Sequence, residues 1–232
     1  MSDPKTLGRL AGLCYLAVAV FGGFAELFVR DRVRVPGDAA ATAANITADE
    51  TLFRLGLAAD LLMAIAFILL GLTLHRLLHE THRRAATALL VLVTGGATAI
   101  LANLVFHAGA LLVATDPAYD SGLALLLLDL HHHGYVLGGV LFGLWLLPMA
   151  YVAMRSALFP TALGVLVLAG VVTWLADPLL FVAAPGLPET VRTVVSVPTS
   201  LAEFSLLLYL LIVGVRRTGQ PLDQARVDST TR

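Results

Sequence analysis

Five carboxyl side chains, Glu26, Asp60, Asp129, Asp177 and Glu203, sit in stretches otherwise built from Leu, Val, Ala and Gly, and the imidazoles of His107, His131, His132 and His133 share the same kind of surroundings. An ionisable group inside a membrane span costs on the order of 2.5–3.5 kcal/mol on insertion scales, so each one asks for a partner and a reason. Carboxyls gathered in a low-dielectric pocket repel one another and lose solvation, which suits some of them to act as general acids while ionised neighbours or a histidine act as bases. On that reasoning Glu26, Asp60, Asp129, His131, Asp177 and Glu203 are the candidate catalytic residues, and the chemistry is acid–base work on a lipid or isoprenoid-like substrate.

Helical spacing decides which of these groups can share a face. Asn103 and His107 stand at i, i+4, as do Asp129 with His133 and His131 with Tyr135, while Arg192, Ser196, Thr199 and Glu203 form one stripe. Asn103, His107, Tyr135 and Thr199 are therefore the expected walls of a substrate pocket. Three consecutive histidines point about 100° apart on a helix and cannot all bind one metal, but Asp129 with His133 could supply two ligands and His107 a third. Without an HExxH or CxxC pattern the spacing favours structural or pH-responsive histidines over ligands, and no cofactor is implied. The competing explanation for any single polar residue is a hydrogen bond that holds two helices together, worth ~0.6–2 kcal/mol.

The elements that must position these residues follow from hydropathy. The 232 residues are 58% hydrophobic and only 13% charged, with a mean hydropathy of +0.87, against roughly 25% charged in soluble domains. The chain reads as an all-α integral membrane bundle of about six transmembrane helices, near 7–29, 52–78, 85–114, 123–154, 161–182 and 191–215, forming one domain over 1–217. The outer loop 30–51 carries a short interfacial helix, and 218–232 is a polar cytoplasmic tail. The fourth span exceeds the ~20 residues a bilayer needs, so its outer end should protrude, tilt or break near Gly134.

Lys5, Arg9, Arg76, Arg83, Arg84, Arg155, Arg216, Arg217, Arg226 and Arg232 collect on one side, and Arg30, Arg32, Arg34, Arg54 and Arg192 on the other. The heavier side faces the cytoplasm, so both ends are inside and the expected location is a bacterial inner membrane. Counting from the cytoplasmic ends puts Glu26, Asp60, Asp177 and Glu203 in the outer half of the bilayer, and Asn103, His107 and His131 at its outer interface. The expected shape is a funnel with an acidic floor and an imidazole rim. A net charge of -1 with no basic stripe excludes a nucleic-acid partner. The expected partners are the bilayer and a lipophilic small molecule. A proton-coupled transporter and a non-catalytic sensor or interaction module are the alternative functions.

Several short runs carry a likeness to a known family: Gly8-Arg9-Leu10-Ala11-Gly12-Leu13 with Tyr15, Glu26-Leu27-Phe28-Val29-Arg30, Gly37-Asp38-Ala39-Ala40-Ala41-Thr42, and Leu52-Phe53-Arg54-Leu55-Gly56 leading to Asp60. Leu128-Asp129-Leu130-His131 with Gly134-Tyr135, then Phe159-Pro160, Leu163-Gly164, Asp177 and Glu203, continue it. In these runs the chain resembles the bacterial membrane proteins catalogued as domain of unknown function 4386. The resemblance implies a polytopic bacterial membrane protein, and it supplies no activity and no catalytic residues. His132 and His133 fall outside the family pattern, which moves weight toward Asp129 and His131.

Overall fold

A computed structural model describes residues 3–216. Arg217 and the expected polar tail 218–232 lie outside the described residues. Among the described residues every regular element is helical. Helix α1 runs Pro4–Val33 and the short α2 Ala39–Ala48. One helical stretch, Glu50–Thr115, is two helices, α3 (50–81) and α4 (83–115), because His82 leaves helical geometry at φ -138, ψ 54. Helix α5 is Gly122–Arg155, α6 Thr161–Ala183 and α7 Glu189–Ile212. Six of the seven are spans, and α2 is the helix expected in the outer loop.

Local chemistry explains the boundaries. The Asp38 carboxylate caps α2 by accepting from the Ala41 amide at 2.9 Å, and Asp49 caps α3 by accepting from Leu52 at 3.2 Å. Pro160 and Pro188 stand immediately before α6 and α7, where a missing N–H costs nothing. The long fourth span stays helical through Gly134 and is irregular only at Trp145. The cause is Pro148, which cannot donate to the Leu144 carbonyl.

Two apolar clusters form the interior. The larger holds Leu70, Leu74, Leu89, Val93, Trp145 and Met149. The smaller holds Val29, Val33, Ile46, Phe53, Ala110 and Leu128, with α2 contributing Ile46 as a cover. Polar side chains from α1, α3, α4 and α5 occupy the layer between them.

The bundle closes where its first and last helices meet. Gly8 and Gly12 of α1 lie directly on the backbone of Gly214 and Leu211, so close that a Cβ on Gly12 would stand 2.7 Å from the Leu210 carbonyl carbon. Arg9 donates to the Ile212 carbonyl at 3.1 Å across the same junction. Close backbone approach through small residues is how helices gain packing energy without a hydrophobic driving force. Gly12→Val should therefore lower stability by about 1–3 kcal/mol. Thermal unfolding in detergent, with the lipid-facing Leu13→Val as control, should show a lowered midpoint for the first variant alone.

Candidate functional site

The site begins with a change of helical pitch. From Phe24 to Arg30 helix α1 becomes π-helical, and the Asp31 amide reaches back to the Glu26 carbonyl. Such stretches are rare and turn side chains away from the direction an α-helix would give them. Here Arg30 points into the bundle and is only 6% exposed. Its Nε donates to Glu26 at 2.6 Å, its Nη1 donates to the fully buried Asp60 of α3, and its guanidinium lies 5.7 Å from the ring centre of Tyr135 on α5. One arginine thus ties three helices through two carboxylates and an aromatic face.

Beside Asp60 stand two sealed imidazoles. His107 of α4 is 0% exposed with Nδ1 3.9 Å from Asp60 Oδ2, and His131 of α5 is 1% exposed with its ring centre 5.6 Å from that of His107. Both His107 nitrogens and His131 Nε2 are buried without a well-formed hydrogen bond, and the nearest acceptor to the His107 ring is the Phe53 backbone. Phe53 packs on the His107 ring at 4.2 Å. Asn103, one turn from His107, donates to the His131 carbonyl at 2.8 Å and rests against Gly134, which has no side chain to obstruct it.

The remaining acids are separately neutralised. Asp129 accepts from Arg34 at 2.8 Å, and Asp177 holds Arg192 with two bonds of 2.8 and 2.9 Å. Glu203 differs, because among the described residues it has no ion pair. The side chains that face it are the phenol of Tyr15 and the indole N–H of Trp174, two buried donors directed at its carboxyl.

Glu203 opens onto a cavity of about 560 Å³ whose walls include Tyr15, Phe67, Phe142, Trp145 and Trp174, with Glu26, Arg30, Asp177 and His132 as its other charged or polar lining. Ser200 of α7 also lines it and is exposed, so the cavity reaches the surface of the bundle beside α7. Helices α1 and α7 touch at Gly12 and Leu211 and leave this space beyond that contact.

The candidate residues therefore separate into two places. Glu26, Asp177, Glu203 and Tyr135 line the cavity, whereas Asp60, His107, His131 and Asn103 lie behind Arg30 and Tyr135, outside the lining. Asp129 faces Arg34, and Thr199 bonds to Thr173 at 2.7 Å, joining α6 to α7. His107, Asp129 and His133 are not brought together, since the ring of His133 packs at a tilt against Phe181. Residues 131 and 133 point to opposite sides of their helix, and only His131 turns toward Asp60. The imidazoles also form no rim above the acids. Asp60 lies 22 residues before the His82 turn and His107 lies 25 after it, so an antiparallel pair brings them level.

The arrangement defines a helical membrane bundle with a laterally opening, aromatic-walled cavity and a sealed ionic layer beside it. The family described as "Domain of unknown function (DUF4386)" matches residues 10–214, and the chain belongs to it. No curated protein and no solved structure gives a match.

Gly134→Ala places a methyl group against the Asn103 amide and should cost about 1–3 kcal/mol by overpacking. In an Asn103→Ala background the same change should cost almost nothing. Chemical or thermal unfolding of the four proteins checks both statements.

Proposed function

We propose that this protein is a bacterial inner-membrane enzyme, both ends cytoplasmic, that performs acid–base chemistry on a lipid or isoprenoid-like substrate entering beside α7. The observation that carries the reading is Glu203: a carboxyl with no cation paired to it among the described residues, facing an aromatic cavity large enough for a small lipophilic molecule. Moving a lone carboxylate out of water costs far more than moving the neutral acid, so the proposal gives Glu203 the proton. Protonating an alkene or an epoxide oxygen creates positive charge on carbon. Walls of Tyr15, Phe67, Phe142, Trp145 and Trp174 are suited to stabilise that charge through their ring faces.

The second half of the reaction needs a base across the cavity. Glu26 and Asp177 line it as carboxylates already held by Arg30 and Arg192, and either can take a proton from the substrate or from water. The proton given by Glu203 and the proton taken by its opposite number balance, so the chemistry is an isomerisation, a cyclisation or a hydration and needs no oxidant. The cytoplasmic orientation rests on the excess of Lys and Arg at the end carrying Arg9, Arg76, Arg83, Arg84 and Arg155.

Transport is less well supported. A carrier needs a path past the midplane, and Leu70, Leu74, Leu89, Trp145 and Met149 fill the inner half. Thr73 and Thr94, which could have marked a water route, donate instead to the carbonyls of Leu69 and Leu90 one turn back.

Glu203→Gln keeps the shape of the side chain and removes the acid. Its unfolding midpoint should stay near that of the wild type, while the wild-type-dependent change in membrane lipids, read by mass spectrometry of extracts from expressing cells, should fall by about 10²–10⁴-fold. An unchanged lipid profile in that variant overturns the acid–base reading.

A further inference from the structure

We infer that Asp60, His107 and His131 form a binding site for a divalent transition-metal ion of the zinc or iron(II) class. The ligand atoms of these three residues all lie within 4.8 Å of one another. A metal with bonds of about 2.1 Å holds its donors roughly 3.0–3.5 Å apart, so each side chain needs to close in by about 1 Å or less. Two imidazoles and one carboxylate on one side of an ion, with the remaining positions open, is the donor set used for iron(II) and, with a fourth ligand, for zinc.

The second observation is the state of the nitrogens. His107 is fully buried with no well-formed hydrogen bond at either ring nitrogen, only an approach to the Phe53 backbone, and His131 Nε2 is equally sealed and unbonded. A buried histidine kept only for packing finds a carbonyl or hydroxyl for its N–H. These poorly satisfied nitrogens belong to two rings that stand together against a carboxylate, which is the condition that a bound cation relieves. The surroundings also hold the ligands in place. Phe53 packs on the His107 ring, Asn103 fixes the backbone of His131, and the Ile46–Phe53–Leu128 cluster covers the site.

Arg30 places a positive charge next to this set, yet its charge is already shared. It bonds Glu26 through Nε and sits on Tyr135; of its two contacts with Asp60 the one to Oδ1 is long, 3.5 Å, and Oδ2, which Arg30 Nη1 holds, is the oxygen 3.9 Å from His107 Nδ1 and would be shared between the arginine and the ion. Asp60 can therefore bind a metal and keep its arginine as the outer partner that orients it, an arrangement common around ligating carboxylates. His131 adjoins Tyr135, which lines the cavity, so the ion would stand one side chain behind the wall.

The test uses the full chain purified without a histidine tag, treated with chelator, and dialysed against Co²⁺ as an optical probe with Zn²⁺ as competitor. One cobalt per chain is expected, with visible ligand-field bands that Zn²⁺ abolishes, and the as-purified protein should contain a stoichiometric metal by elemental analysis. His107→Gln and His131→Gln should each lower the affinity by at least 10-fold, whereas His132→Gln and His133→Gln should retain it. Glu203→Gln should also retain it, which separates this site from the catalytic proposal. A wild-type chain that takes up neither Co²⁺ nor Zn²⁺ overturns the inference without requiring any variant to fold. Metal that survives the loss of both His107 and His131 overturns it as well.

Discussion

A guanidinium cannot be buried in an apolar bundle unless its charge and its N–H groups are met, and the placement of Arg30 makes that requirement the organising constraint of this fold. Breaking such a pair by removing one partner costs several kcal/mol, because the remaining charge is stranded. The π-helical turn of α1 brings Arg30 inward, Asp60 meets it from α3, and Tyr135 covers it from α5. Three helices are thereby fixed in rotation as well as in position. Simple apolar packing, which tolerates sliding, would not achieve this. The buried polar layer then separates the large apolar cluster from the small one covered by α2.

The same accounting makes Glu203 stand out. Arg30 serves Glu26 and Asp60, Arg34 serves Asp129, and Arg192 serves Asp177, so four of these acids are compensated by arginines. Glu203 lies deeper on α7, facing Tyr15 and Trp174 across the cavity, where no arginine is paired with it. A structure that pairs these four acids with arginines and leaves one unpaired on a cavity wall distinguishes charges that hold helices together from a group available to a ligand. The glycine contact at Gly12 closes one end of the α1–α7 pair, and the cavity occupies the space beyond it.

The six spans, the loop helix and the buried Asp60, Asn103, His107, His131 and Thr199 were readable from hydropathy and spacing, because a membrane forces long apolar runs and makes exceptions conspicuous. The pairing was not. Arg30 and Arg34 looked like loop residues that mark membrane orientation, and nothing in composition says that a π-helical turn will rotate one of them inward. One signal did exist: Glu26 and Arg30 stand at i, i+4 beside an apolar run, which is ion-pair spacing on a helix. Depth counting failed for His107 and His131 because it assumed that all helices start level. Counting both ways from the turn at His82 would have set His107 opposite Asp60. The run of three histidines distracted from the fact that only His131 shares a face with Tyr135 and points toward α4.

The most direct test of this account is a double-mutant cycle on Arg30 and Asp60, read as unfolding free energy in detergent or nanodiscs for Arg30→Met, Asp60→Leu and the double variant. The account predicts that Arg30→Met costs about 3–5 kcal/mol, since the sealed Asp60 carboxylate is left alone, that Asp60→Leu costs less because Arg30 keeps Glu26, and that the double variant recovers most of the Arg30→Met loss because an apolar pair replaces the ionic one. Glu26, whose side chain is 41% exposed, can be hydrated once Arg30 is gone. Additive losses, or an Arg30→Met variant as stable as the wild type, would contradict the claim that this ion network organises the bundle.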